Sequence, residues 1–514
     1  MVSRVLNYGF VFKTNIFEYI TFETNIYKDV NILMDAKYQI NYHIIPFAFQ
    51  LPYIQAVQIL KTNISNNDNK TNIWSAKLFN DSQRIFSHIN GLIETENPVN
   101  NTIGSGFVLT EAARKEYDFS ANKNGAFIFK SKDFSFNFYI NEVELYIFET
   151  QIGFVCLKVD IKRNIADEII EGNYFVKNLY QNKEKFFMEK FINGGKQLVN
   201  SPIHLSIKKM LEFLNVNTYF ENHDKFPKQT LVYNALCLNE KPEVEEIPKY
   251  IYKMKRLFKD SYKISDRDLC IDNCKDTIQL FENSYWGISL EGFANFTYLV
   301  DDEITNSFLT SNYKGTLDKT YYYIYLVSLH QRYALLNFSM KASGVKKLNS
   351  CDDVDENIIN YLTDLKHDIS YFYLRANYNN ISNITHQSVL YDLLRSNLRI
   401  EDLMNEISSE LDGVKNILEE RKNKRKEEEA KEVERKKDLF NIFIAIISIV
   451  FVVLQTTNSI WDMFNKGYTG QYPLFTSNTF KIFIATVLIT ISGSVFAMIA
   501  YAYRLIKNKS KKKN

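Results

Sequence analysis

The chain has 514 residues, room for two to four structural units at roughly 150 residues each. Its 62 basic and 60 acidic residues nearly cancel, yet six basic ones (Arg504, Lys507, Lys509, Lys511, Lys512 and Lys513) crowd the last eleven positions; without them the balance is −4, 56 basic against 60 acidic. A chain whose only concentrated cationic stretch is a terminal tag is not expected to bind nucleic acid directly, and five irregularly spaced cysteines exclude a disulfide scaffold. The aromatic share of 15% excludes a disordered chain, and a mean hydropathy of −0.25 confines any membrane part to a local segment.

From the start, Met1 to Lys13 carries Arg4, Asn7 and Lys13 without an apolar run, so no cleavable secretion signal is expected. Short aromatic and β-branched runs then alternate with Asn-rich turns, as in Phe10 to Phe12, Ala126 to Phe129 and Phe134 to Phe138. Val143 to Asp160 reads as a hairpin with Gly153 near its turn, where a positive φ is expected. The spacing predicts helices at Phe186 to Phe191 and Ser206 to Leu214 and a basic amphipathic helix over Ile247 to Phe258. A second strand cluster spans Ile278 to Leu299, before a helical, aromatic segment from Leu317 to Ala342. The body is therefore expected to be α+β or α/β: a strand-rich domain over residues 1–175 and a mixed, helix-rich region over 176–385.

A stalk is predicted over residues 386–438. Ile400, Met404, Ile407, Leu411, Val414 and Leu418 alternate steps of three and four, the seam of a coiled coil, with Gly413 inside it. Further on, Glu420 with Lys424, Glu427 with Lys431 and Glu432 with Lys436 are favourable four-residue pairs, so one helix is predicted to run from His386 into the membrane. Its exposed apolar seam needs neighbours, from the body or from other subunits.

Two charge-free runs follow, Leu439 to Trp461 with 23 residues and Ile482 to Tyr503 with 22, each long enough for a hydrocarbon core of about 30 Å. They are read as two transmembrane helices (439–461 and 482–503) around an external loop (462–481), before a basic tail (504–514). Ten basic residues lie between Lys415 and Lys437 and six after Tyr503, while the loop offers Lys466 and, at its border, Lys481. Positive flanks stay inside, so both termini are expected in the cytoplasm, in a cell's inner (plasma) membrane. On the first span, Asn441, Ala445, Ser448, Val452, Gln455, Ser459 and Asp462 recur at four-three spacing, with Asn458 at the outer end. That stripe reads either as the lining of an aqueous pore made by several copies or as tight helix packing through small residues.

A large cytosolic body, a long helix, two closely spaced C-terminal spans and a polybasic end resemble the CorA family of divalent-cation channels. The likeness is strongest over Tyr361 to Asn514, where ITHQSVLYDLLRSNLRIEDLMNEISSELDGV looks like the family's stalk entry; ELYIFETQIGFVCL looks like its early strand pair. The resemblance implies a homopentamer in the lipid bilayer, the first span around the pore, and Lys436, Lys437, Lys507, Lys509, Lys511, Lys512 and Lys513 at a basic cytoplasmic mouth. The family's Gly-Met-Asn tripeptide is absent where the chain reads QTTNSIWDMFNKGYTG, which argues against dedicated Mg²⁺ transport. Divergent members lacking that motif are found beside type III CRISPR systems, and the likeness implies a membrane effector opened by a nucleotide messenger such as S-adenosylmethionine conjugated to AMP (SAM-AMP). The expected function is a homo-oligomeric, body-gated ion channel, with a Mg²⁺ transporter and a membrane-anchored scaffold as alternatives; neither the ligand's residues nor a metal site can be named.

Other groups read as structural. Cys270 and Cys274, with His223 and Cys237 upstream, lack the spacing of a zinc site. Gly104-Ser105-Gly106 is expected to be a turn, and Asp301 to Glu303 and Asp352 to Glu356 to be helix caps rather than cation sites. Tyr321 to Tyr325 and Tyr371 to Tyr373 could stack a nucleobase, but aromatic runs on helices are more often core. No constellation of catalytic groups emerges, so no enzyme is expected.

Overall fold

The computed structural model describes residues 34–62, 73–77, 84–93, 102–119, 127–192, 195–201, 203–220, 226–258, 263–266, 268–269, 274–344 and 356–468, and beyond these 478, 481–489, 491–493, 495–496 and 500. Two compact units divide between Leu411 and Asp412. Phe10 to Phe12, His223, Cys270, Asp352, Asp353, Asp355 and the terminal lysines from Lys507 lie outside the described residues.

The first unit is built on one mixed sheet. Its strands are β1 (Ala36–Phe49), β2 (Trp74–Ala76), β3 (Gly104–Leu109), β4 (Phe127–Lys130), β5 (Ser135–Phe148), β6 (Ile152–Ile161), β7 (Phe186–Ile192), β8 (Gly195–Asn200), β9 (Val216–Thr218), β10 (Leu231–Leu238), β11 (Thr277–Phe281), β12 (Ser284–Ile288) and β13 (Gly292–Tyr298). The order is β11-β12-β13-β10-β1-β6-β5-β4-β7-β8, with β3 on β5, β2 on β3 and β9 on β1. β10 and β13 run parallel and the other pairings are antiparallel. A parallel pair needs a crossover, and the chain supplies one through a helix and the β11-β12 hairpin. The sheet takes strands from both predicted cytosolic regions.

Between the strands lie α1 (Tyr53–Thr62), α2 (Ser87–Asn90), α3 (Glu111–Glu116), α4 (Ala166–Lys177), α5 (Ile203–Leu211) and α6 (Glu246–Arg256). After β13 come α7 (Glu303–Phe308), α8 (Lys314–Thr316), α9 (Tyr322–Ser343), α10 (Glu356–Arg375), α11 (Thr385–Asn397) and α12 (Ile400–Tyr468). Two π-helical turns, Leu309–Tyr313 and Leu317–Tyr321, flank α8.

Alternation along the strands buries both sheet faces. On one face Tyr42, Tyr146, Phe154 and Tyr233 join a core around α9, whose Tyr322 to Leu329 are buried on every side. On the other, β4 to β7 close a Phe-rich core, while β10 and β13 pack against α4 and α6 as a separate cluster.

The hairpin, the strands over Ile278 to Leu299, the basic amphipathic helix and the aromatic helix all form, the last two as α6 and α9. Four local expectations are corrected. Phe186 to Phe191 is not helical but lies in strand β7, whose alternate Phe186 and Met188 turn inward while the backbone pairs with β4 and β8. The hairpin's positive φ falls on Gln151, at 61°, whereas Gly153 lies within β6, where a Cβ would run into the Phe47 ring. Gly104-Ser105-Gly106 is no turn: it opens β3, and its glycines let Phe148 and Tyr146 lie close against the strand. Finally, the helix expected from His386 is interrupted at Arg399, with φ 56°, and the Arg332 guanidinium donates to the Leu398 carbonyl at the end of α11.

Candidate functional site

α12 carries the predicted stalk seam and the polar stripe. Ile400 and Ile407 are fully buried, and Met404 packs half-buried against the α9 core. The Tyr373 hydroxyl donates to the Met404 carbonyl at 3.1 Å. The seam's first two turns are thus satisfied by the body of the same chain. The side chains of Leu411, Val414 and Leu418 lie outside the described residues. Farther on, Glu427–Lys431 and Glu432–Lys436 pair at 3.9 and 3.2 Å, and Lys436 and Lys437 are exposed.

Within α12, the stretch Glu419–Asp462 is long and apolar enough to cross a membrane, and it is the one such helix among the described residues. None of its apolar window is buried in the protein. Asn441, Ala445, Ser448, Val452, Gln455, Asn458, Ser459 and Asp462 all lie on it, exposed. The Ser448 and Ser459 hydroxyls donate to the carbonyls of Ile444 and Gln455, both at 2.9 Å, which satisfies them inside the helix, whereas the Gln455 and Asn458 amides need partners from outside it. Ile442, Ile449, Val453, Thr457 and Ile460 are partly covered and line up roughly 110° around the helix from the stripe at 100° per residue. The start of the second predicted span falls in the apolar helix Lys481–Gly493, in which Ile484, Val487 and Ile491 form a similar partly covered line.

Among the clefts of the described body, two lie one on each side of the π-helical segment. One is a groove of about 860 Å³ over β1 and β6, in which Lys37, Lys158, Lys162, Arg163 and Lys314 outnumber Asp160 and Asp318. Much of this charge is internally matched: Lys158 meets Asp318 at 2.7 Å, Arg163 meets Glu168 at 3.5 Å, and Lys162 pairs with Asp160. Lys314 lies over the Tyr38 ring at 5.2 Å.

The second cleft, about 890 Å³, opens between the π-helical segment, the β11-β12 turn, the strap at Arg84 and the start of α11. At its mouth the Phe281 and Phe308 rings are about half exposed, and the charged Arg84 and Lys319 are exposed. Its floor is buried: the Tyr313 hydroxyl shares a hydrogen bond with Ser284 at 2.8 Å and accepts one from Asn295 at 3.2 Å. His386 stands between Phe281 and Tyr321, at 5.7 and 6.4 Å between ring centres. Burial, and then the neighbouring Arg84, lower its pKa, so the imidazole is neutral at physiological pH. Among the described residues no carboxylate lines this cleft.

The wall between the clefts is fixed to the sheet. Tyr42 donates to Asp318 at 2.9 Å, Tyr233 donates to the Leu317 carbonyl at 2.7 Å, and Tyr322 donates at 3.0 Å to Glu144, which also pairs with Lys77 and accepts from Tyr146 at 2.8 Å. Three donors compensate that buried carboxylate. The α11 wall is tied to the strap, where Ser382 donates to the Arg84 carbonyl at 2.7 Å and Arg84 holds a positive φ of 74°, and to α9, where the Gln331 amide donates to the Tyr391 hydroxyl at 2.8 Å and Leu390, Tyr391 and Leu394 are buried.

Of the tyrosines singled out in the sequence, Tyr321 lines the second cleft, while Tyr322, Tyr323 and Tyr325 are core. Asp302 caps α7, accepting from the Thr305 amide at 2.9 Å. Among the described residues no cluster of metal-ligating side chains forms. Arg84, Phe281, Phe308, Lys319 and Gln387 went unnoticed in the sequence, because no local pattern links five positions on four separate segments. Comparison with protein-family models, with curated proteins and with solved structures finds no match to this chain.

Proposed function

We propose that this chain is a homo-oligomeric, CorA-like ion channel whose cytosolic body controls a pore lined by the polar stripe of α12. The observation that carries the reading is the exposed stripe itself: Asn441, Gln455 and Asp462 present polar groups on a face of α12 apart from its line of partly covered residues. Polar groups on a membrane helix are costly unless they meet each other or water, and a ring of copies around an aqueous axis provides both. The partly covered lines on α12 and on Lys481–Gly493 support pairing of the two helices as a hairpin, with the stripe left for the axis. Lys and Arg on the body side of the first span support cytoplasmic termini in the inner (plasma) membrane. The family likeness adds a pentameric ring and an antiviral role in which a nucleotide messenger such as SAM-AMP opens the pore.

Ion flux into proteoliposomes holding the purified full chain tests this, with Mg²⁺ and monovalent reporters and with or without a messenger panel that includes SAM-AMP. Messenger-dependent flux that Gln455→Leu with Asn441→Leu lowers about tenfold or more, and Phe443→Leu leaves unchanged, is the expected result. Mg²⁺ flux without messenger would favour the transporter, and silence from folded, inserted protein the anchored scaffold.

A further inference from the structure

We propose that the cleft between the π-helical segment and α11 binds a nucleoside phosphate, its base among the rings of Phe281, Phe308 and Tyr321 and its phosphate between Arg84, Lys319 and the first turn of α11. This names a site for the ligand-gated reading above and rests on it for the gating consequence, though not for the binding itself.

Four features of the cleft converge on that chemistry. Half-exposed Phe281 and Phe308 are expensive to leave in water and offer flat faces on which a base stacks. The charge is one-sided: among the described residues Arg84 and Lys319 line the cleft and no carboxylate does, whereas in the neighbouring groove lysines and acids largely neutralise one another. The residue preceding α11 is Ile384, which has no side-chain acceptor for the first-turn amides, and Ile384, His386 and Gln387 all line the cleft. The positive end of a 13-residue helix is thereby left to a ligand. Gln387 is 3% exposed, and its carboxamide oxygen is buried without a hydrogen-bond partner among the described residues. A base N–H would satisfy it, at a position where an orphaned acceptor is otherwise costly. The π-helical turns fit as well, since such turns tend to occur at functional sites.

The cleft also occupies a consequential place. One wall is bonded to the sheet through Asp318, Leu317 and Tyr322; the other is α11, which reaches α12 through Leu398 and Arg399. A ligand held by both walls fixes the distance between the sheet and the helix that leads to α12.

The test is equilibrium binding of fluorescent anthraniloyl-ATP to the detergent-solubilised full chain, displaced by unlabelled AMP, ATP, GMP, GTP, SAM-AMP and inorganic phosphate. Saturable binding is expected, with phosphate alone a far weaker competitor than any nucleotide. Arg84→Ala with Lys319→Ala should weaken binding about tenfold or more and flatten its salt dependence, and Phe281→Ala with Phe308→Ala should weaken it about tenfold. These side chains are exposed or half-exposed, so the variants should keep the native unfolding transition. Lys37→Ala with Lys314→Ala, in the neighbouring groove, should change nothing. Absence of saturable binding below about 1 mM by folded wild-type protein would overturn the site, as would affinity that survives both cleft pairs or falls only in the groove pair. Binding that never changes flux keeps the site and removes the gating; nucleotide-opened flux with unaltered affinity in the cleft variants keeps the channel and removes the site.

Discussion

Replacing Ile407 by Ala asks whether the stalk seam belongs to the body of its own chain. The side chain is 0% exposed and sits in the core around α9, so truncation removes three buried carbons. At about 0.8 kcal/mol per buried carbon that is roughly 2.4 kcal/mol of transfer free energy. The cavity left behind adds about 1 kcal/mol or more, because α9 and α10 can collapse into it only partly, for a total of about 3–4 kcal/mol. The assay is denaturant unfolding of the full chain in detergent at two protein concentrations, with Val433→Ala as the control. Val433 lies on the same helix but is 65% exposed, and its truncation should stay within about 0.5 kcal/mol. The Ile407 loss should not depend on concentration. If the residue were buried between copies and the variant no longer associated, tenfold dilution would shrink the loss by about 1.4 kcal/mol, because only the wild type would be weakened. A loss under about 0.5 kcal/mol, or one that shrinks on dilution, refutes the intrachain packing.

Two further outcomes follow from buried groups of the sheet. His43 is fully buried; Asn173 Oδ1, whose own amide donates to Asn41, accepts from Nε2 at 3.2 Å, and Thr230 Oγ1 lies 3.1 Å from Nδ1. Burial lowers its pKa from 6.5 to about 4. The unfolded chain therefore takes up the proton more readily, and the stability due to the neutral ring is complete above pH 6.5 and drains away as pH falls toward 4. By about pH 5 the loss is about 2 kcal/mol, and His43→Gln should lack it; equal stability changes between about pH 7.5 and 5 in the two proteins would defeat the assignment. Gly153→Ala should cost about 1–3 kcal/mol because its methyl meets the Phe47 ring, and Phe47→Leu should recover about 1 kcal/mol or more of it in a double-mutant cycle. Additive losses would show that the glycine serves something other than that contact.

What could be foreseen from the sequence divides by the range of the interactions involved. α6 was legible because a helix writes its buried face at intervals of three and four, and Ile247, Ile251 and Met254 are that face. The β5-β6 hairpin was legible because both its strands and its turn are contiguous. Phe186 to Phe191 was misread because its state is decided by pairing with β4, more than 50 residues earlier, and propensity yields to such partners. The seam could be seen at Ile400 and Ile407, but a three-four pattern does not say what covers it, and here α9 and α10 do. The cleft left still less trace, since its aromatic and cationic groups converge from the strap, a strand turn, the π-helical segment and α11.

The same geometry restricts what a ligand in the cleft can accomplish. A molecule that touched only the sheet-bonded wall would bind every position of α11 equally well and could shift no equilibrium, whatever its affinity. Moving the body from one part in a hundred open to ninety-nine requires roughly 10⁴-fold tighter binding to the open arrangement. Stacking on Phe308 and Tyr321 cannot supply that preference alone, because both belong to the segment tied to the sheet. The contacts able to discriminate are those to Arg84, His386, Gln387 and the α11 amides, on the wall that leads to α12. Arg84→Ala and Gln387→Ala should therefore raise the nucleotide concentration for half-maximal flux and also lower the maximal flux, whereas Phe308→Ala should raise the concentration and leave the maximum intact. Equal effects of the three substitutions on the maximum would mean that α11 is not the element the ligand moves.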